Sequence, residues 1–424
     1  MKKQIIMGKQ KTLSQRLGVI IASLVLITPL LTHSAEHKPR KQPPASPALC
    51  SNADSLASLK CSRGASSVFD NNGRLWLAWA FGGHVYVNFS DNKGKSYSSP
   101  SVVNKIPEAI AAKAESPVRI VVDNKGRLFV TWTLKLAKRF SGHIRFSRST
   151  DGGKHFSAPL TVNDHLELTS HRFQSMAVND RGDIFIAWLD KRDLLAAKKA
   201  GKPYTGAAVY YTYSDNQGLS FHPNIKISDS SCECCRTAMT MDKDGLPVIL
   251  WRHIFGKNSR DHALVKLMNK DRVGNVRRAS FDNWQVDGCP HHGPAISSSD
   301  EGIYHLTWFN NAPERHGLFY ASSKDQGKTV SSPLSYGNYQ SGASHPQVLS
   351  SGENIYLLWK EFDGKQSSLM TMSSSDKGNI WSVPKVLLQS SSANEHPLLI
   401  HDGQQVYAAW HRRGEDYRLL ALKK

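Results

Sequence analysis

Two short segments of this 424-residue chain concentrate side chains that bind soft metal ions. Cys232-Glu233-Cys234-Cys235-Arg236 places three thiols in four positions, and Cys289-Pro290-His291-His292-Gly293 adds a fourth thiol and two imidazoles. Thiolate and imidazole donors together suit zinc or copper, and thiolates favour the softer ions. His345 and His396 follow at later intervals and can complete a shell. The expected ligands are therefore Cys234, Cys235, His291, His292, His345 and His396, for copper or zinc. The same residues allow a second outcome, a Cys232–Cys289 disulfide with the histidines bonded to loop carbonyls. A bridge between the vicinal Cys234 and Cys235 would be strained and redox-labile. Cys50 and Cys61 are a natural pair to pin the start of the folded body.

A second set of side chains points to an anion. Arg63, Arg172, Arg236, Arg252 and Arg260, with Glu115 and Glu361, fall in the same class of segment, ahead of or behind short apolar runs. Guanidinium forks hold carboxylates bidentately, so converging arginines give geometry as well as charge. These seven are the candidate substrate-binding residues, and no catalytic residue is assigned. The net charge of +19 agrees with an anionic partner. Lys138-Arg139, Lys191-Arg192 and Lys198-Lys199 add basic loops able to attract acidic glycans, lipopolysaccharide or an acidic protein.

The N-terminus narrows the partner class. Residues 1–18 carry Lys2, Lys3, Lys9, Lys11 and Arg16 and no acid, Val19 to Leu31 is mostly apolar, and Thr32-His33-Ser34-Ala35 offers small residues for cleavage. This pattern reads as a secretory signal peptide over 1–35, with an uncleaved anchor as the alternative. Losing its five basic residues lowers the charge from +19 to +14. A periplasmic or secreted protein is expected, with no nucleic-acid partner, no membrane span after cleavage, a monomeric state and disulfides permitted. Residues 36–58, with Pro-Pro and Lys-Pro-Arg-Lys, read as a flexible lead-in, and 59–424 as one domain.

The elements that position these residues are legible as a repeat. A Gly-containing turn followed by alternating apolar residues and a Trp recurs seven times, ending at Trp79, Trp132, Trp188, Trp251, Trp308, Trp359 and Trp410. Each copy follows another short apolar run, so each is a β-hairpin, and no long stretch shows helical periodicity. A second motif follows five of the hairpins, best seen in Ser149-Thr150-Asp151-Gly152-Gly153-Lys154-His155-Phe156. Copies lie at Asp325 and Asp376, and Asn92 and Asn216 hold the acid position in two more. A short acid or amide there bonds turn N–H groups, the glycine takes positive φ, and an aromatic packs beneath.

These turns resemble the Asp boxes of the sialidase superfamily and its non-sialidase relatives, in a branch marked by the Cys-Glu-Cys-Cys-Arg and Cys-Pro-His-His-Gly-Pro segments. The resemblance implies an all-β propeller, with seven four-stranded blades expected from seven repeats and six as the alternative. Only Tyr417 to Leu422 follows Trp410, so a strand near Ser55–Leu59 is expected to close the last blade. In a propeller the starts of the inner strands share one face with the loops between second and third strands, which places both sets of candidates there. The resemblance also implies a sialidase site of three arginines and a Tyr–Glu couple. Arg63, Arg252 and Glu233 look similar to family positions, but Arg63-Gly64-Ala65 lacks the family's Arg-Ile-Pro. Gly342-Ala343-Ser344-His345 stands where the nucleophilic Tyr belongs, and Tyr336 and Tyr339 lie upstream. A propeller without sialidase activity is the expectation, with an exo-sialidase or a non-catalytic glycan- or protein-binding propeller as alternatives.

Overall fold

The computed structural model describes Cys50 and residues 57–423. The expected leader, and all of the lead-in except Cys50, Ala57 and Ser58, lie outside the described residues. Seven antiparallel sheets follow one another in chain order. In the first, β1 (Arg63–Phe69), β2 (Leu75–Phe81), β3 (His84–Ser90) and β4 (Ser101–Val102) pair in sequence. The first strand of each sheet packs beside that of the next, and β1 meets Leu398–His401 of the seventh. The ring is thus closed, and the fold is a seven-bladed β-propeller.

The second strand of each blade is nearly all apolar because it is covered on both faces by neighbouring blades. Leu75-Trp76-Leu77-Ala78-Trp79-Ala80 is buried throughout, as is Ile184–Asp190. All seven repeat tryptophans are at most 1% exposed. Six of the seven indole N–H groups find an acceptor, among them Trp132 on Glu108 Oε2 at 2.7 Å and Trp308 on Asp282 Oδ2 at 2.7 Å. The tryptophans are core, as their spacing implied.

The five polar turns join third to fourth strands and repeat one hydrogen-bond pattern. Ser149 Oγ donates to Asp151 Oδ1 at 2.8 Å and accepts from Gly153 N–H at 3.0 Å, while His155 N–H donates to Asp151 Oδ1 at 3.0 Å. The Asn216 turn reproduces this with Ser214, Gly218 and Ser220. Each turn presses on the preceding blade: Phe221 meets Phe146 edge-on at 4.9 Å and Trp381 meets Tyr320 at 4.7 Å. Gly218 has φ +76°, and a Cβ there would stand 2.6 Å from Phe146. Both backbone freedom and close approach demand glycine.

One expectation falls partly outside the described residues, and another differs. Among the described residues the last blade has three strands, Leu398–His401, Val406–Arg412 and Asp416–Ala421. In the segment expected to complete it, 51–56 lie outside the described residues and Leu59–Cys61 is a 3-10 turn. That turn is tied to the last blade, with Gly414 N–H donating to Lys60 O at 2.7 Å and His411 Nε2 3.0 Å from Leu59 O. A Cys50–Cys61 disulfide fastens it. Second, the basic stretch expected as loop is the helix Arg192–Lys199. Its eight residues favour helix, with Asp193 in the first turn and Lys198 and Lys199 in the last, complementing the helix dipole. Eight residues are too few for periodicity to announce it.

Candidate functional site: a cysteine and histidine face

The segments entering the inner strands gather on one face, and several enter through a bulge. Register shifts fall between Arg63 and Ser66, between Ala187 and Leu189, and between Ser344 and Gln347. Gly64 (φ 59°), Phe173 (φ 64°) and His345 (φ 55°) occupy these kinks. A bulge of this kind re-aims one side chain out of the ladder. In the sixth blade that side chain is an imidazole, held in a backbone region that costs a non-glycine residue about 1 kcal/mol or more.

The expected metal shell divides into two groups. Cys232, Cys234 and Cys235 are buried on the connection between blades 3 and 4, with Cys232 Sγ 3.8 Å from Cys234 Sγ and 3.6 Å from Cys235 Sγ. Cys234 also gathers with Cys289 and His291, both exposed, so that their donor atoms lie within 4.8 Å of one another. All four thiols are free, so the alternative Cys232–Cys289 disulfide and the vicinal bridge are not formed. Hydrogen bonds from Cys234 and Cys235, with Arg252 nearby, hold the Cys232 thiol well below its usual pKa. The bond to Cys232 pushes Cys234 up, and burial does the same to Cys235. One thiolate with two thiols aimed at it is a donor set ready to exchange protons for a cation.

The second group is Glu115, His345 and His396, from blades 2, 6 and 7. Both Nδ1 atoms face Glu115 Oε1, at 3.5 Å and 3.6 Å, and the two rings stack at 3.6 Å. Burial, then His345 and Arg236, hold His396 well below the ordinary imidazole pKa, so it is neutral. His292 belongs to neither group: its ring stacks between Phe309 at 4.0 Å and His345 at 4.6 Å. Hence the six expected ligands do not share one centre. Spacing along the chain showed which residues reach this face, but not how far apart seven blades hold them. Cys232 and Cys289, expected as a bridge, and Glu115, expected on substrate, are the donors that spacing missed.

The expected substrate-binding residues are also dispersed. Arg236 pairs with Glu115 at 3.2 Å. Arg172 lies over Phe173 beside Cys234, its pKa lowered by burial. Arg63 is exposed. Arg252 is 1% exposed, and its guanidinium donates to the carbonyls of Arg260, His292 and Phe309. It braces two loops and the strand Tyr304–Ala312, and its Nη atoms are spent on these carbonyls. Arg260 donates to Asn258 Oδ1, and Glu361 Oε1 accepts from Asn338 N–H and the Trp359 indole. The Tyr–Glu couple is not assembled: Glu233 pairs with Lys191, Tyr336 is buried against Thr307, and Tyr339 bonds Asn311. Beside the second group, burial lifts Glu395 to about 7 and drops Lys360 to about 8. Glu395 Oε1 accepts from Gly64 N–H at 2.6 Å, and Lys360 donates to Asn394 at 2.7 Å.

No protein-family model matches this chain, and no curated protein matches it in sequence. Among solved structures, a polysaccharide lyase of family PL25, an ulvan lyase, is similar at 9% identity and TM-score 0.51, covering 85% of this chain and 93% of that one. The polysaccharide lyase Uly1 is similar at 10% identity and TM-score 0.51, over 87% and 90% of the two chains. A Hadza microbial sialidase is 14% identical with TM-score 0.49, over 82% and 76%. The neighbours are sialidase-like and related propeller glycosidases and lyases, and at these identities the likeness is one of fold.

Proposed function

We propose that this chain is an exported propeller that binds a soft transition-metal ion, copper(I) or zinc, through Cys232, Cys234 and Cys235, with Cys289 and His291 as the outer ligands. The carrying observation is the convergence of three buried sulfurs, two of them within 3.8 Å of Cys232 Sγ, and the sharing of Cys234 with an exposed Cys–His pair. Trigonal or tetrahedral thiolate sites of this composition suit copper(I) and zinc. The exposed pair would give an ion a first hold from solution, and Cys234, common to both sets, would link it to the buried thiols. The Arg252 brace beside Cys232 favours the anionic form that the ion requires.

The glycan-acting neighbours support the propeller scaffold, and the basic face fits an acidic glycan as a further partner. A glycosidase reading has less support, since Arg252 and both tyrosines are engaged elsewhere.

The test is metal content and thiol count on the full chain, followed by anaerobic titration with copper(I) against a chromophoric chelator and with zinc. About one ion per chain, lost in Cys234→Ser, is expected. No uptake of either ion by the reduced protein would overturn the assignment.

A further inference from the structure

A cavity of about 580 Å³ runs along the ring axis against the inner strands of blades 2 to 7. One end is rimmed by exposed Asp300, Gly352, His401 and Gly403, in the turns joining first to second strands. This is the face opposite the cysteine loops. The other end is lined by Arg119 and Arg236.

These two arginines are unusual in what they lack. Arg236 is 5% exposed; its Nη1 meets Glu115, and its Nη2 is buried without a hydrogen-bond partner. The Arg119 side chain forms no hydrogen bond or ion pair with any described residue, and its Nε is buried and unsatisfied. Burial and the neighbouring Arg236 pull its pKa down to about 10, still protonated at neutral pH. Two guanidiniums thus face one carboxylate, and His396 beside them is neutral. Of the hydroxyls on the wall, Ser175 bonds Thr237 at 2.8 Å, and Ser297 bonds Ser350 at 3.1 Å. The spare donors at this end belong to the guanidiniums. An uncompensated buried charge costs several kcal/mol, and unsatisfied buried donors are rare unless function holds them.

We propose that this cavity binds a small polar molecule bearing an oxyanion, with its carboxylate, sulfate or phosphate gripped between Arg119 and Arg236 and its body extending toward the opposite face. The volume falls in the range of small-molecule sites. Paired guanidinium forks match an oxyanion's geometry, and one net positive charge sets the complement. This site is distinct from the thiol centre and does not rest on metal binding. Arg119 stands inside the run Val118-Arg119-Ile120-Val121-Val122, where a charge interrupts an apolar strand.

The experiment is thermal unfolding of the full chain with sodium sulfate, inorganic phosphate or sodium glucuronate, each against sodium chloride at equal ionic strength. The comparison uses wild type, Arg119→Met and Arg119→Lys. At least one anion is expected to raise the wild-type Tm saturably, and the shift should vanish in R119M. Without anion, R119M should melt at or above wild type, because a half-buried charge without an ion-pair partner has gone. Calorimetry on R119K should show at least tenfold weaker binding, the charge being kept and the fork lost. No saturable shift with any of the three anions would overturn the proposal. So would an equal shift in R119M, a fall in its anion-free Tm, or unchanged affinity in R119K.

Discussion

Cys234 is the sulfur on which both thiol groups depend, whereas Cys289 serves only the outer one. Cys234→Ser should therefore abolish tight metal uptake, while Cys289→Ser should slow loading and leave most of the final stoichiometry. Stopped-flow competition with a chelator separates the two effects. His345 carries a different load, since its φ of 55° is tolerated better by asparagine. His345→Asn should stay within about 1 kcal/mol of wild-type stability in urea titrations, while removing one of the two imidazoles that face Glu115. The types of these residues were legible in the sequence, because soft ligands in two tight clusters have few other uses. Their partition was not. His292 and His345 are as conspicuous along the chain as Cys234, yet stacking geometry decides that His292 packs while His345 faces a carboxylate.

At the scale of a blade, the hairpin and its polar turn act as one packing unit. Gly218→Ala should cost about 2 kcal/mol or more, since positive φ and contact with Phe146 both oppose a methyl group. Trp359→Ala should cost about 3–5 kcal/mol by opening a cavity in a fully buried wall. Both follow from urea midpoints on the full chain. Blade number and strand order were readable because turn, alternation and Trp recur every 51 to 63 residues. The short helix Arg192–Lys199 and the 3-10 turn Leu59–Cys61 were not, being only eight and three residues long and fixed by local contacts. Arg252 shows the same limit: its position looked like that of a ligand arginine, and only tertiary structure reveals three carbonyls around it.

For the whole molecule, buried imidazoles set the response to acid. Burial holds His171 and His305 near 4, against 6.5 when unfolded. The unfolded chain therefore takes up protons first as pH falls, so their contribution is full above pH 6.5 and is lost between 6.5 and 4. The loss is at most about 3 kcal/mol for each. Glu395, raised to about 7, works in the opposite sense, favouring the fold as it neutralises between 7 and 4.5. Urea titrations from pH 7.5 to 4 should show net weakening, and His305→Gln should flatten the profile. The two donor groups also differ in how much of the ring they need. The thiol set draws on the two connections flanking blade 4, so one seam between neighbours suffices to build it. Glu115, His345 and His396 come from blades 2, 6 and 7, and meet only when the circle is joined across the first and last blades. The protein therefore carries two internal gauges of its own assembly: a nascent or partly opened ring can gather its sulfurs while its carboxylate and imidazoles remain apart.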